Sequence, residues 1–322
     1  MTMSAAAAIP SHAPSSSPPG CVSIEPCRDA AQLREYIDTY WRKGHILARD
    51  ERLFAFQYQT PWVDRTVFPS GISVLGAYQD GRLLGFLGAI VAPYPRPQSY
   101  WLALWHVLPE LKGGGQGGKL LNAMQEIAVG KDGRGGIGAD GGWIGTFGAG
   151  PEALPVYLKR GYACRAVRRW TYSPPSASIA TTAVPRSMPM NRAETDAPAE
   201  WLAYRYANHP LFAYESRSQS NFRSEKNPWG RVTHCLRLVG SWADDVGEVY
   251  EREARIARYE GVPYLMDAWS FDVPGPGWTL AADDVPSVFH PPQPRGNLIY
   301  AVGRPFVPTN VQKGECDQDR PN

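Results

Sequence analysis

Cysteine is scarce in this 322-residue chain and follows no pattern. Cys21, Cys27, Cys164, Cys235 and Cys316 are odd in number and scattered, with no C-x-x-C pair and no Cys/His cluster. That excludes a disulfide framework and structural zinc, no metal is expected, and the thiols read as reduced ones in a cytoplasmic protein. Long hydrophobic runs are missing as well, since none approaches the roughly 20 apolar residues of a transmembrane helix. The N-terminus MTMSAAAAIPSHAPSSSPPG has no basic region, and its apolar run ends after Ile9. It reads as a disordered tail and not as a signal peptide. Excess charge of one sign is absent too: the net charge is +2, so no nucleic-acid partner is expected, and without a spanning run no membrane partner is expected either. What is present, 43% hydrophobic and 20% charged residues, suffices for a sizeable core, and the length suits two domains.

Punctuation divides the chain. The Pro-rich stretch from Ser173 to Pro198 lacks hydrophobic periodicity and reads as a linker. The expected organisation is a tail (1–19), a first domain (20–174), a linker (175–198), a second domain (199–308) and a polar tail (309–322). In the first domain, residues 30–42 have helical spacing, with Leu33, Tyr36, Ile37 and Tyr40 on one face. ISVLGAYQ (72–79) and LLGFLGAIVA (83–92) flank Asp80-Gly81, the signature of a hairpin. Further strands are expected over 100–108, 143–147 and 163–172. This order predicts an α/β (α+β) fold with a mixed central sheet flanked by helices on both faces. The second domain, a smaller α/β unit, is expected to hold helices near 200–206 and 246–259 and strands at 232–239, 264–269 and 298–302.

The chemistry lies in VLPELKGGGQGGKLL, residues 107–121, a glycine-rich run between a strand and an amphipathic helix. A strand feeding such a loop into a helix holds phosphate or pyrophosphate. Three patterns compete for it. Gly113 to Leu120 nearly fits the nucleotide loop G-x-x-x-x-G-K-S/T, but Leu120 stands where a magnesium-holding hydroxyl belongs. Gly113, Gly115 and Gly118 form G-x-G-x-x-G, yet GKDGRGGIGAD (130–140) follows in place of a second strand ending in an acid. The third pattern, V-x-P-E-x-R/K-G-x-G-x-G-x-x-L-L, is matched by Val107, Pro109, Glu110, Lys112, Gly113, Gly115, Gly117, Leu120 and Leu121. Downstream, GPEALPVYLKRGY (150–162) follows N-x-x-A-x-x-x-Y-x-x-x-G-F/Y, with Gly150 in place of Asn.

These two motifs, in this order, resemble the coenzyme A loop and following helix of the GNAT N-acetyltransferase superfamily. The resemblance covers about residues 22–174. It implies acetyl-CoA as co-substrate, held through the backbone of Gly113, Gly115, Gln116, Gly117 and Gly118, with Lys112 and the helix dipole assisting. It places Val107 and Leu108 where backbone N–H groups bind the thioester carbonyl. Tyr157 falls where a general acid protonates the departing thiolate; otherwise it is a packed helix tyrosine. His106 is a candidate base, because its ordinary pKa suits the task, although a residue next to Val107 should face the other side of the sheet. A water chain ending at an acid is the alternative base.

Segments of the second half, WLAYRYANHPLFAY (201–214), CLRLV (235–239), YLMD (264–267) and VPSVFHPP (285–292), are similar to the C-terminal half of tandem-GNAT-like proteins of bacterial surface-polysaccharide assembly. That similarity implies an amino sugar acceptor, free or nucleotide-linked, among the small-molecule amines. Arg205, His209, Tyr214 and Asp267 are then candidates to line its pocket, against the plainer reading of hydrogen-bonded core polar groups. Two rival functions stay open: a non-catalytic acyl-CoA-binding or scaffold protein, and an NTPase. The oligomeric state is not legible.

Overall fold

The computed structural model describes residues 21–93, 98–129, 143–146, 149–150, 152–172, 198–217, 220–226, 234–241, 264–270 and 278–290. The expected tails, most of the linker, the helix at 246–259 and the strand at 298–302 lie outside these residues.

The strands are β1 (Ser23–Pro26), β2 (Val74–Gln79), β3 (Arg82–Ala92), β4 (Ser99–Val107), β5 (Trp143–Thr146), β6 (Ala163–Tyr172), β7 (Glu215–Arg217), β8 (Ser220–Lys226), β9 (His234–Ser241), β10 (Tyr264–Ser270) and β11 (Trp278–His290). β1 to β4 lie side by side and antiparallel, and β5 then runs parallel to β4. The turn between β2 and β3 has Asp80 at φ 49° and Gly81 at φ 80°. Two successive positive φ values are what a two-residue hairpin turn requires, and Asp-Gly supplies them at low steric cost.

Beyond β5 the order is β11, β6, β10, β9, β8, β7. The expected second, smaller domain therefore builds no separate sheet among the described residues. The last described strand, β11, enters the first half's sheet, pairing Val288 to His290 with β5 and Phe289 back to Trp278 with β6. Local sequence pattern carries no information on a pairing this distant.

Helices cover both faces. On one face lies α4 (Gln116–Val129), which buries Leu120, Leu121 and Met124 against Leu75, Leu87, Tyr100 and Leu102. On the other lie α1 (Ala30–Tyr36), α2 (Ile46–Arg49) and α3 (Glu51–Tyr58), packing Leu33, Leu53 and Phe54 against Val74, Phe86 and Leu104. Two further short helices among the described residues are α5 (Leu154–Lys159) and α6 (Ala199–Leu202). Asp29 and Asp50 cap α1 and α3, accepting from Ala31 N–H at 2.9 Å and Leu53 N–H at 3.0 Å.

The helical stretch expected over 30–42 divides in two. After Tyr36 it widens into a π-helical turn, Ile37–Trp41, closed by Arg42 N–H on the Ile37 carbonyl at 2.9 Å. Tyr36 and Ile37 stay buried, while Tyr40, its ring 5.1 Å from that of Tyr36, is 45% exposed. A 3.6-residue period cannot anticipate that change.

Candidate active site

The central feature is an opening between β4 and β5. Their backbones pair only at Ser99, Tyr100 and Trp101. At Leu102 the carbonyl instead accepts the Thr146 hydroxyl at 2.9 Å, and among the described residues β4 continues to Val107 without a β5 partner. On its other edge β4 stays with β3. Leu108 donates its N–H to the Leu84 carbonyl at 2.9 Å, which makes Leu84 and Leu108 a hydrogen-bonded pair. In an antiparallel ladder such pairs alternate, so the Val107 N–H points away from β3, into the opening. The expectation that Leu108 shares this task is corrected: its N–H is engaged by Leu84.

A bulge decides which side chains flank the opening. Leu87 pairs with Trp105 but Ala89 with Leu102, so β4 carries one extra residue between these points. Ala103 and Leu104 consequently both pack on the α1–α3 side. The alternation then reverses. Tyr100 and Leu102 face α4 before the bulge, and Trp105 and Val107 face it afterwards.

His106 thus lies on the α1–α3 face, opposite Trp105 and Val107, as simple alternation anticipates. Its Nδ1 is 3.0 Å from the Tyr36 hydroxyl, which also lies 3.1 Å from the Leu84 carbonyl. The ring is half-buried. Burial first, and the Lys112 charge second, lower its pKa from 6.5, so it is neutral at pH 7 and able to accept a proton.

The glycine-rich loop follows a single 3₁₀ turn, Pro109–Leu111. Gly113 and Gly115 adopt φ 86° and 75°, and a Cβ on either would meet nothing within 4 Å. Backbone conformation is what requires glycine there, and the space above is open. Gly117 and Gly118 instead lie close to neighbouring side chains. A Cβ at Gly117 would come 3.2 Å from the Trp105 indole, and one at Gly118 would come 2.1 Å from the Arg160 guanidinium. Arg160 is fixed above the first turn of α4 by its Nε–H on Asn122 Oδ1 at 2.8 Å.

The first-turn N–H groups of α4 have no partner within the helix and face the loop with the positive end of the dipole. Gln116 Oε1 is buried there without a hydrogen-bond partner. An open glycine cradle, unpaired amides and an orphaned acceptor fit a ligand carrying both phosphate and amide groups. Lys112 stands at the loop entrance, its Nζ 3.5 Å from Glu152, both side chains being largely exposed. Such a pair is weak and leaves the lysine available to a phosphate.

Tyr157, on α5, is 3% exposed. Its ring lies on the α4 side of the sheet, 5.5 Å from Trp105 and 5.1 Å from Tyr162. The Tyr157 carbonyl accepts from Arg160 and Tyr162 N–H at 2.9 and 3.2 Å, ending the helix. Gly161 at φ 81° makes that ending possible. Gly150, where the family pattern has Asn, contributes its carbonyl to the Ala153 and Leu154 N–H groups. Tyr157 and His106 thus flank the end of β4 from opposite faces.

Three of the four second-half candidates come together, against α3. Arg205 is 3% exposed, with its guanidinium carbon 5.5 Å from the Phe56 ring centre. His209 meets Phe56 at 4.7 Å and Tyr214 at 5.5 Å. Its Nδ1 accepts from Leu211 and Phe212 N–H at 3.2 and 3.1 Å, so Nδ1 caps a turn. Asp267 lies on β10, in register with Thr171 and Arg237, apart from these three in the sequence. Trp201 is buried, 5.4 Å from Trp62.

Sequence reasoning missed Tyr36 and Arg160 as members of the site. Tyr36 read as one of four apolar-face residues. Arg160 carried a faint signal, as a cation in the last turn of a helix beside Gly161. Among the described residues there is no group of three His, Cys, Asp or Glu side chains suited to a metal, and no helix is long and apolar enough to cross a membrane.

Residues 31–162 match the model of the acetyltransferase (GNAT) family. Among solved structures, a GCN5-related N-acetyltransferase from Anabaena variabilis shares 12% identity at a TM-score of 0.50, covering 84% of this chain and 72% of that one. A conserved protein of unknown function from Enterococcus faecalis, a probable N-acyltransferase, gives the same identity, coverage and score. At this identity the likeness concerns the fold. Comparison with curated protein sequences found no significant match.

Proposed function

We propose that the protein transfers an acetyl group from acetyl-CoA to the nitrogen of a primary amine by direct attack, a reading supported by the match of residues 31–162 to the acetyltransferase (GNAT) family model. The observation that carries this reading is the Val107 N–H turned into the β4–β5 opening beside the glycine cradle. A thioester carbonyl in that opening would be polarised by a donor held in place before the reaction begins. The backbone of Gly113 to Gly118 and the Lys112 charge would hold the pyrophosphate.

Attack requires a neutral amine. His106, neutral at pH 7 and on the α1–α3 face, takes the proton from the amine nitrogen as the C–N bond forms. Collapse of the tetrahedral intermediate breaks the C–S bond, and Tyr157 on the α4 face donates its proton to the leaving sulfur. A covalent cysteine route is disfavoured. Cys27 is buried against the carbonyl of Asp29, and no cysteine occurs in the loop or in residues 150–162.

For the acceptor we propose an amino sugar, supported only by the second-half segments and by Arg205, His209 and Tyr214 sharing the α1–α3 side of the sheet with His106. The test follows release of the coenzyme A thiol from acetyl-CoA across a panel of amino sugars and other primary amines. Turnover that Tyr157→Phe abolishes without weakening acetyl-CoA binding supports the reading. Tight binding with no acetylation of any amine assigns the chain to the non-catalytic acyl-CoA-binding alternative, to which Gly150 in place of Asn leaves room.

A further inference from the structure

We propose that Tyr36 is a positioning residue which holds His106 as the Nδ1–H tautomer, leaving Nε2 as the nitrogen that receives the acceptor's proton. The inference rests on the reading of His106 as base. It concerns a side chain that no part of the loop or helix motif includes.

The argument counts protons. The Tyr36 hydroxyl has one, and it lies 3.1 Å from the Leu84 carbonyl and 3.0 Å from His106 Nδ1. A carbonyl only accepts, and this one already takes the Leu108 N–H at 2.9 Å on a second lone pair. Both Tyr36 contacts are hydrogen bonds in one arrangement only: the phenol donates to Leu84 and accepts from Nδ1–H. If the phenol donated to Nδ1 instead, two oxygens would face each other in a buried site with no proton between them. A neutral imidazole bearing its proton on Nδ1 presents a lone pair at Nε2.

The phenol cannot easily swing away. Its ring is 3% exposed, stands edge-on to Phe86 at 5.5 Å and 86°, and lies 5.1 Å from Tyr40. It occupies the last residue of α1, immediately before the π-helical turn that contains Tyr40. Burial first, and the neighbouring Glu110 charge second, raise the Tyr36 pKa, so the phenol keeps its proton and serves as a fixed donor and acceptor. When the amine proton arrives at Nε2, the resulting imidazolium retains its Nδ1–H bond to the Tyr36 oxygen. Tyr36 therefore steadies the ring both before and after transfer.

The test is the pair of ring-nitrogen chemical shifts of His106 in the full-length protein labelled with ¹⁵N-histidine, observed above pH 7. The expected result is a pyrrole-type Nδ1 and a pyridine-type Nε2, moving in Tyr36→Phe toward the Nε2–H form that an unpartnered histidine prefers in water. An Nε2–H tautomer in the unmutated protein, or no change in Tyr36→Phe, overturns the proposal. Kinetics give a second readout. Tyr36→Phe is expected to lower kcat about tenfold, to leave KM for acetyl-CoA unchanged, and to cost nothing further in a His106→Gln background. An equal loss in both backgrounds contradicts positioning through His106. Full turnover in His106→Gln alone would remove the base assignment, while the ring-nitrogen shifts still decide the Tyr36 contact.

Discussion

Trp105 meets Tyr157 edge-on, their ring centroids 5.5 Å apart and their planes at 60°. The contact joins the end of β4, beyond its bulge, to the helix α5. Without the extra residue at Ala103 or Leu104, Trp105 would fall on the α1–α3 side and the contact with Tyr157 would be lost. Tyr157→Phe preserves the ring contact and removes only the hydroxyl. It is expected to lower kcat roughly 100-fold or more and to leave acetyl-CoA affinity and thermal midpoint nearly unchanged. Steady-state kinetics beside a binding titration check this, and a fully active variant would return Tyr157 to a packing role.

The loop glycines are expected to divide into two classes on substitution. Gly115→Ala places a Cβ in open space at φ 75°, so the backbone strain of about 1 kcal/mol is its main stability cost, and acetyl-CoA binding weakens. Gly118→Ala sets a Cβ against the Arg160 guanidinium and displaces it from Asn122. Chemical denaturation of Gly118→Ala, Arg160→Ala and the double variant should show the Gly118→Ala cost largely relieved once Arg160 is gone.

The acid limb of kcat/KM is expected below pH 6.5, because burial and then Lys112 lower the His106 pKa. Lys112→Gln should move that limb upward. Stability follows with a definite sign. The unfolded histidine takes up its proton first as pH falls, so the contribution of neutral His106 is whole above about pH 6.5. It declines as pH drops from there through the folded pKa. Thermal midpoints between pH 7.5 and 5.5, compared with those of His106→Gln, isolate it.

Trp201 is 1% exposed and packs against Trp62, while Tyr204 stacks on Phe56 at 4.8 Å and donates to its carbonyl at 2.7 Å. These contacts tie residues 199–214 to α3. Trp201→Ala is expected to destabilise the first half by about 3–5 kcal/mol, read from denaturant unfolding. No loss of stability would show the segment to be an independent attachment.

Much of the first half is legible in the sequence because its signals are local. Asp80-Gly81 marks its hairpin, the continuous apolar run of 83–92 its central strand, and the spacing of Leu120, Leu121 and Met124 the buried face of α4. β1, α2 and α3 escaped because they are short, and α3 buries residues around most of its circumference, from Leu53 to Tyr58. The bulge at Ala103–Leu104 and the widened turn after Tyr36 are single-residue changes of period, which tertiary packing selects. The placement of β11 between β5 and β6 depends on pairing across more than a hundred residues. In the site, the loop and Tyr157 stood out as motif residues. Tyr36 and Arg160 meet their neighbours through contacts across the fold, of which only the cation beside Gly161 shows faintly in the sequence.

Calorimetric titration of the full-length protein with acetyl-CoA tests the account most directly, since the opening between β4 and β5 and the glycine cradle are both assigned to that ligand. The expected result is one acetyl-CoA bound per chain, competed by coenzyme A, weakened by Gly115→Ala and indifferent to ATP with magnesium. Absence of binding by acetyl-CoA and by coenzyme A, or magnesium-dependent binding of ATP at the loop in their place, would contradict it.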